Sequence, residues 1–232
     1  MKNKEIKIRA KEFLLPQFSN LMAAEVIAYM LKTVALIVTL GVGRFFVSGP
    51  LINGTYSVFE KARKGEKVNG IKVFDGFKNR VGDSMLAGVI QGVILAVPSF
   101  FLIGIVLSFA VMGVSIYTVS SYQSSFGTKA LTISVISILL IIVCDVLAVI
   151  LSLTFDMAQY ILVRNEDISA MEALKLSGQM MRGNKGRLLK LYISFVGWFA
   201  LSIITASLAS AWTLPYLRAC RTVLFSEIYD NY

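Results

Sequence analysis

The sequence predicts an all-α, polytopic transmembrane helical bundle of about six spans, arranged as three helical hairpins with cytoplasmic amphipathic helices. Composition is the first observation behind this. Hydrophobic residues make up 56% of the 232 residues and charged residues 16%, against about 45–50% and about 25% in soluble domains. Distribution is the second. Segments 84–128 and 191–217 carry no charged residue, and 130–155 carries only Asp145. A bilayer core asks for about 20 mostly apolar residues per helix, so each stretch is long enough to cross. The third is where the cations lie: 18 of the 23 Lys and Arg residues fall in segments 1–12, 61–80 and 164–190. Positive-inside sorting keeps such segments on the cytoplasmic side, so the chain crosses an even number of times between them. The same sorting explains the net charge of +9 without invoking nucleic acid, which is not expected as a partner.

The elements follow in order. Ile6, Ala10 and Phe13 recur at helical spacing opposite Lys4, Lys7 and Lys11, and Pro16 ends the run; this predicts an amphipathic helix on the anionic inner leaflet. No small-residue cleavage pattern follows it, so the first span is expected to stay in the mature chain. The first hairpin rises through 21–43 and returns through 45–59. The second rises through 84–115 and returns through 130–161, joined by an uncharged polar loop at 117–128. Pro98 is expected to kink its rise, with Gln91 and Gln159 available for freed backbone groups. Ser169 and Glu172 form a capping-box pattern opening an amphipathic helix at 168–181, as a side-chain oxygen three residues before a carboxylate satisfies orphan N–H groups. The third hairpin rises through 191–209; segment 215–227, with Arg218 and Arg221, is a tilted return or a helix lying at the surface.

Faint internal echoes support three units within one membrane domain, at about 1–62, 71–163 and 169–229. Gly49-Pro50-Leu51 precedes Val58-Phe59-Glu60 much as Pro215-Tyr216-Leu217 precedes Val223-Leu224-Phe225. Each proline is expected in the first turn of its helix, where the missing N–H costs nothing.

The chain has no histidine, which removes zincin motifs, Ser-His-Asp systems and most zinc or haem ligation. No catalytic group, metal or cofactor is expected. Cys144 and Cys220 are the only cysteines and read as buried thiols. Gly41-Val42-Gly43 lacks the third glycine of a dinucleotide loop, and the sequon at Asn53 falls within a returning helix.

The residues that stand out are charges at membrane depth: Glu25, Lys32, Arg44, Asp145 and Asp156. Each costs about 2.5–3.5 kcal/mol on insertion scales, so such groups face the bundle interior and pair. Asp145 and Asp156, three turns apart, share a helix face, which makes Lys32 pairing with one of them the expectation; about 16 Å of helix between them excludes a carboxylate dyad. Gly88 and Gly92, and likewise Ser202, Ala206 and Ser210, have the small-xxx-small spacing that lets helices approach in lipid, within the bundle or between copies of the chain.

Several runs occur in a recognisable order: Gly49-Pro50-Leu51 with Gly54; Val73-Phe74-Asp75-Gly76-Phe77-Lys78; Tyr160-Ile161-Leu162; Leu174-Lys175-Leu176-Ser177 through Met181-Arg182-Gly183-Asn184-Lys185; Ser194-Phe195-Val196-Gly197-Trp198; and Pro215-Tyr216. Together they resemble the bacterial integral membrane proteins of Domain of Unknown Function family 975. The resemblance implies a multi-pass protein of the bacterial cell membrane and no particular activity. Where relatives carry an Ile-Pro-Gly run, this chain has Val146-Leu147-Ala148.

Two functions compete. One is a non-catalytic accessory, scaffold or self-protection module that binds another envelope component, a protein or peptide. The other is a transporter, or a lipid- or peptide-handling permease, that uses Lys32, Asp145 and Asp156.

Overall fold

The computed structural model describes residues 3–78, 80–122, 125–165, 167–205 and 208–232. The described residues are mostly helical and contain no strand. The α-helices are α1 (Asn3–Leu14), α2 (Phe18–Val38), α3 (Val42–Arg63), α4 (Val81–Tyr122), α5 (Ser125–Phe155), α6 (Ala158–Arg164), α7 (Ala170–Met180), α8 (Lys185–Ile193), α9 (Val196–Ile204) and α10 (Ser210–Asp230). Two 3-10 segments, Leu15–Gln17 and Gly70–Phe77, join them. Among the described residues three stretches are long and apolar enough to cross a bilayer: Asn3–Val38, Ile138–Arg164 and Lys185–Ile204. Apolar side chains lie exposed along them, including Met30, Ile37, Leu140, Val143, Val196 and Ile203, as lipid-facing surface requires; all this points to a membrane protein.

The chain divides into two compact units, residues 1–92 with 153–232 and residues 93–152. In the first, α2 turns back into α3 at Leu40 and Gly41, whose φ of +102° is open to glycine at no steric cost. The 3-10 helix Gly70–Phe77 packs on both α2 and α3 by backbone approach. A methyl group at Gly54 would overlap the Val73 carbonyl, and one at Gly76 the Pro50 carbonyl. The start of α4 meets α3 the same way: a methyl at Gly49 would overlap the Ser84 carbonyl, and one at Gly88 the Gly49 backbone. Gly92 lies against the Phe45 ring.

The last helix is the main departure from the sequence reading. From Thr213 to Tyr229 no residue of α10 is exposed, so it is a core helix and not a surface one. It packs against α1, α2, α3, α6 and α9, and its length and composition do not place it among the three bilayer-crossing stretches. The amphipathic α1 departs too. Ile6, Ala10 and Leu14 are fully buried in the protein core, while Lys7 and Lys11 reach over the rings of Phe195 and Tyr216 at 5.0 and 5.6 Å. Burial against the protein removes that apolar face from water without the leaflet, and cation–π contacts favour the same docking.

Other boundaries shift for identifiable reasons. Pro50 lies inside α3 and Pro215 inside α10, not in first turns. Both helices begin upstream of their prolines, α3 directly after the turn at Gly41 and α10 at Ser210. The expected loop at 117–128 is helical up to Tyr122 and again from Ser125; it lacks proline, and backbone groups away from water are satisfied by staying helical. The helix assignment also continues through Pro98. Conversely, the return through 130–161 breaks at Asp156 and Met157, and the rise through 191–209 breaks at Ser194 and Phe195. Gln91 Nε2 donates to the Phe155 carbonyl at the first break, at 2.6 Å, and Gln159 Nε2 to the Ser84 carbonyl, at 3.0 Å. Both glutamines therefore serve helix ends and not Pro98. Ser202 and Ser210 end up on different helices, which dissolves the expected single stripe, and Ala206 lies outside the described residues.

The second unit comprises residues 93–152, drawn from α4 and α5. By sequence it holds only Lys129 and Asp145 as charges. Leu107, Phe109, Ile136, Leu139 and Leu147 are exposed on it.

Candidate functional site

Four charged residues of α10 bind four different elements. Arg218 Nε donates to Glu25 Oε1 on α2 at 2.6 Å, and Arg221 pairs with Asp156 at the α5–α6 break. Glu227 accepts from Arg187 on α8 at 2.7 Å, and Asp230 from Arg164 on α6 at 2.7 Å. Two carboxylates in the last turns oppose the helix dipole, so their arginine partners are what make the placement tolerable. The charges separate into two layers. Arg218 and Arg221 form the first with Glu25, Asp156 and the Tyr192 hydroxyl, which donates to Asp156 Oδ2 at 2.7 Å.

Glu60 centres the second layer. It accepts from Arg63 Nε at 2.9 Å, from Arg164 at 2.6 Å and from the Tyr160 hydroxyl at 3.0 Å. Burial opposes ionisation of Glu60, but the bonds from Arg63 and Arg164 outweigh it and hold its carboxyl below its ordinary value. Between the layers the rings of Tyr56, Tyr160 and Phe225 meet at centroid distances of 5.8 to 6.1 Å. Guanidinium groups cover Tyr56: Arg218 lies 4.7 Å and Arg221 5.6 Å from its centroid.

Three more polar contacts join helix starts. Asp83 Oδ1 accepts from the Ala170 N–H at 2.8 Å, and Arg80 donates to the Asn165 and Ile168 carbonyls. The Ser169–Glu172 capping box is present, and hydrogen bonds from the Ser169 N–H and hydroxyl hold the Glu172 carboxyl below its ordinary value.

The residues singled out from sequence fare differently. Glu25 is buried and paired with Arg218. Asp156 is paired, but with Arg221 and Tyr192, which corrects the expected Lys32 partner. The physical reason is reach: the break at Asp156 turns its carboxylate toward α10, where a guanidinium fork is already anchored by Tyr56. Lys32 is partly exposed and, among the described residues, forms no ion pair. Arg44 is exposed. Asp145 Oδ1, in the second unit, is buried with no hydrogen-bond partner among the described residues. Gly88 and Gly92 make close packing contacts; Ser202 is buried, its Oγ donating to the Trp198 carbonyl one turn back in the same helix at 2.9 Å.

Arg218 and Arg221 are expected from sequence only as residues of a tilted return or surface helix, and Tyr56, Glu60 and Arg164 are not expected as site residues. One signal was present. Glu25 and Asp156, isolated in apolar stretches, required two cations, and Arg218 and Arg221 lie three residues apart in another such stretch. Near the opposite end of α10 a cavity of about 780 Å³ opens between α1, α3 and α10, lined by Arg9, Glu12, Phe13, Arg63, Glu227 and Asp230 among others. Among the described residues no group of histidine, cysteine, aspartate and glutamate is arranged to hold a metal.

No curated protein and no solved structure matches the chain. Over residues 1–231 the chain matches, and so belongs to, the family described as Protein of unknown function (DUF975).

Proposed function

We propose that this chain is a non-catalytic, six-span module of the bacterial cell membrane, with three hairpins and a cytoplasmic amino terminus. In this reading it serves another envelope component as an accessory, scaffold or self-protection protein. The observation that carries it is the use of the intramembrane charges. Glu25 and Asp156 are taken up by Arg218 and Arg221 in a core helix, and the 780 Å³ cavity is lined by other residues. Charges locked in static pairs stabilise an architecture; a carrier needs them to face a water-filled path.

The test is affinity purification of the full chain in mild detergent. A specific protein or peptide retained at fixed stoichiometry is the expected result, and a chain that stays alone would sink the reading. Reporter fusions at Lys64 and Lys185 are expected to report the same, cytoplasmic, face; opposite faces would overturn the hairpin layout.

One observation favours a transporter instead, the unpartnered Asp145 Oδ1 within an apolar helix. Under that reading Asp145→Asn abolishes uptake by the native cell of whatever substrate the gene's deletion affects; under the accessory reading the same substitution leaves function intact.

A further inference from the structure

Between α3 and α4 the 3-10 helix Gly70–Phe77 turns its sequence into three distinct faces. At three residues per turn, positions i and i+3 lie one above the other; in an α-helix they would drift by about 60° at each step. Gly70, Val73 and Gly76 are buried and form the face that packs on α2 and α3. Lys72, Asp75 and Lys78, which caps the helix, form a polar face, where Lys78 Nζ pairs with Asp75 Oδ1 at 3.0 Å. Ile71 and Phe74 form the third face and are 64% and 41% exposed. Large apolar side chains gathered on one exposed face mark a contact surface, as singly scattered ones do not.

Position and charge say what covers it. Gly70 lies against the α2 backbone at Asn20 and Ala24, and Val73 packs in one cluster with Ala28 and Leu51. Along that same part of α2, Val26, Tyr29 and Met30 are exposed, within the bilayer-crossing stretch Asn3–Val38. The apolar face of the 3-10 helix therefore lies beside surface that lipid covers. The surrounding segment 61–80 holds seven Lys and Arg residues against two acids, Glu66 and Asp75. Lys64, Lys67, Lys72 and Lys78 are exposed, and only Lys78 of these four forms an ion pair among the described residues. Lysines flanking an apolar face match headgroup phosphates above acyl chains, whereas a protein partner of apolar surface alone leaves the cations unused. We propose that the 3-10 helix Gly70–Phe77 is an interfacial anchor for anionic phospholipid, seating Ile71 and Phe74 among the acyl chains with Lys72 and Lys78 on the headgroup phosphates. The anchor rests on the reading of the chain as membrane-embedded and holds whether or not a partner protein exists.

The test places an indole on the exposed face. The full chain carrying Phe74→Trp, and separately Ile71→Trp, is reconstituted into vesicles of phosphatidylcholine and phosphatidylglycerol. Its emission is read as the difference from the native chain, whose tryptophans are Trp198 and Trp212. One lipid at a time carries dibrominated acyl chains, at equal mole fraction. The added indole is expected to be quenched by bromine, more by phosphatidylglycerol than by phosphatidylcholine, and to be shielded from acrylamide in the water. Lys72→Gln and Lys78→Gln in the same background are each expected to lower the preference for phosphatidylglycerol about fivefold, the effect of one lysine near an anionic surface. Quenching by acrylamide and not by bromine would show a water-facing helix and overturn the anchor. Shielding from both quenchers would show that a second copy or another protein covers the face, and would overturn it equally. Equal quenching by the two lipids would overturn the anionic preference and the lysine contacts. Flotation of the native chain with the vesicles checks the membrane reading separately: a chain that does not float sinks both, and one that floats with its added indole in water sinks the anchor alone.

Discussion

The two compact units solve the problem of a mostly apolar chain in opposite ways. Residues 93–152 carry two charges, by sequence, and expose many of their apolar side chains. The other unit, 1–92 with 153–232, holds every ion pair described above, and its helices meet through glycines against backbone. Hydrocarbon solvates an apolar surface without selecting a partner for it, so apolar pattern alone leaves helix pairing open. Buried ion pairs and glycine slots accept one arrangement only, because any other strands a charge or overlaps two backbones. Specificity in this molecule is therefore concentrated in the unit with the polar core.

The sharpest way to break this contrast is a pair of matched substitutions. Asp156→Asn leaves Arg221 uncompensated and is expected to cost about 3–5 kcal/mol of stability, whereas Asp145→Asn removes a charge with an unpartnered oxygen and is expected to cost nothing. Unfolding in detergent micelles measures both, and equal losses would mean that the two units are not built differently. Glycine replacement gives a second pair of opposite sign. Gly49→Ala forces a methyl into the Ser84 carbonyl and is expected to cost about 1–3 kcal/mol. At Gly113 an added methyl meets open space, so Gly113→Ala is expected to be neutral or to stabilise by up to about 1 kcal/mol.

Acid sharpens the comparison further. The Glu60 carboxyl is lowered from its ordinary value of 4.5. The stability that its arginine and tyrosine bonds contribute is therefore complete above pH 4.5 and lost as pH falls through the lower folded value. A thermal melt series is expected to show Tm dropping below pH 4.5 in the native chain and a smaller drop in Glu60→Gln. The smallest effect belongs to the helix cap: Ser169→Ala is expected to cost about 1 kcal/mol, read from the same melts.

Local chemistry was legible where a residue acts through its own neighbours in the chain. The Ser169–Glu172 box formed as its spacing implied, and the apolar face of α1 at Ile6 and Ala10 is buried as its period implied. What that face packs against was not legible, since protein core and lipid leaflet remove it from water equally well. The partners of Glu25 and Asp156 were likewise hidden: Arg218 is 193 residues from Glu25, and a charge far along the chain has no periodicity to announce it. Segment 215–227 misled for the same reason, because arginines in an apolar stretch read alike whether they snorkel to a surface or are buried in pairs.

Taken alone, the order of residues determined that the chain is helical, apolar over lengths that fit a bilayer, free of histidine chemistry and a member of its family, since these follow from composition, local period and motif. Only the tertiary structure decided that α10 lies in the core, that Asp156 belongs to Arg221 and that Lys32 is left over. Those outcomes depend on which distant groups come within about 3 Å of one another, and hydrogen-bond geometry at that range is a property of the packed molecule.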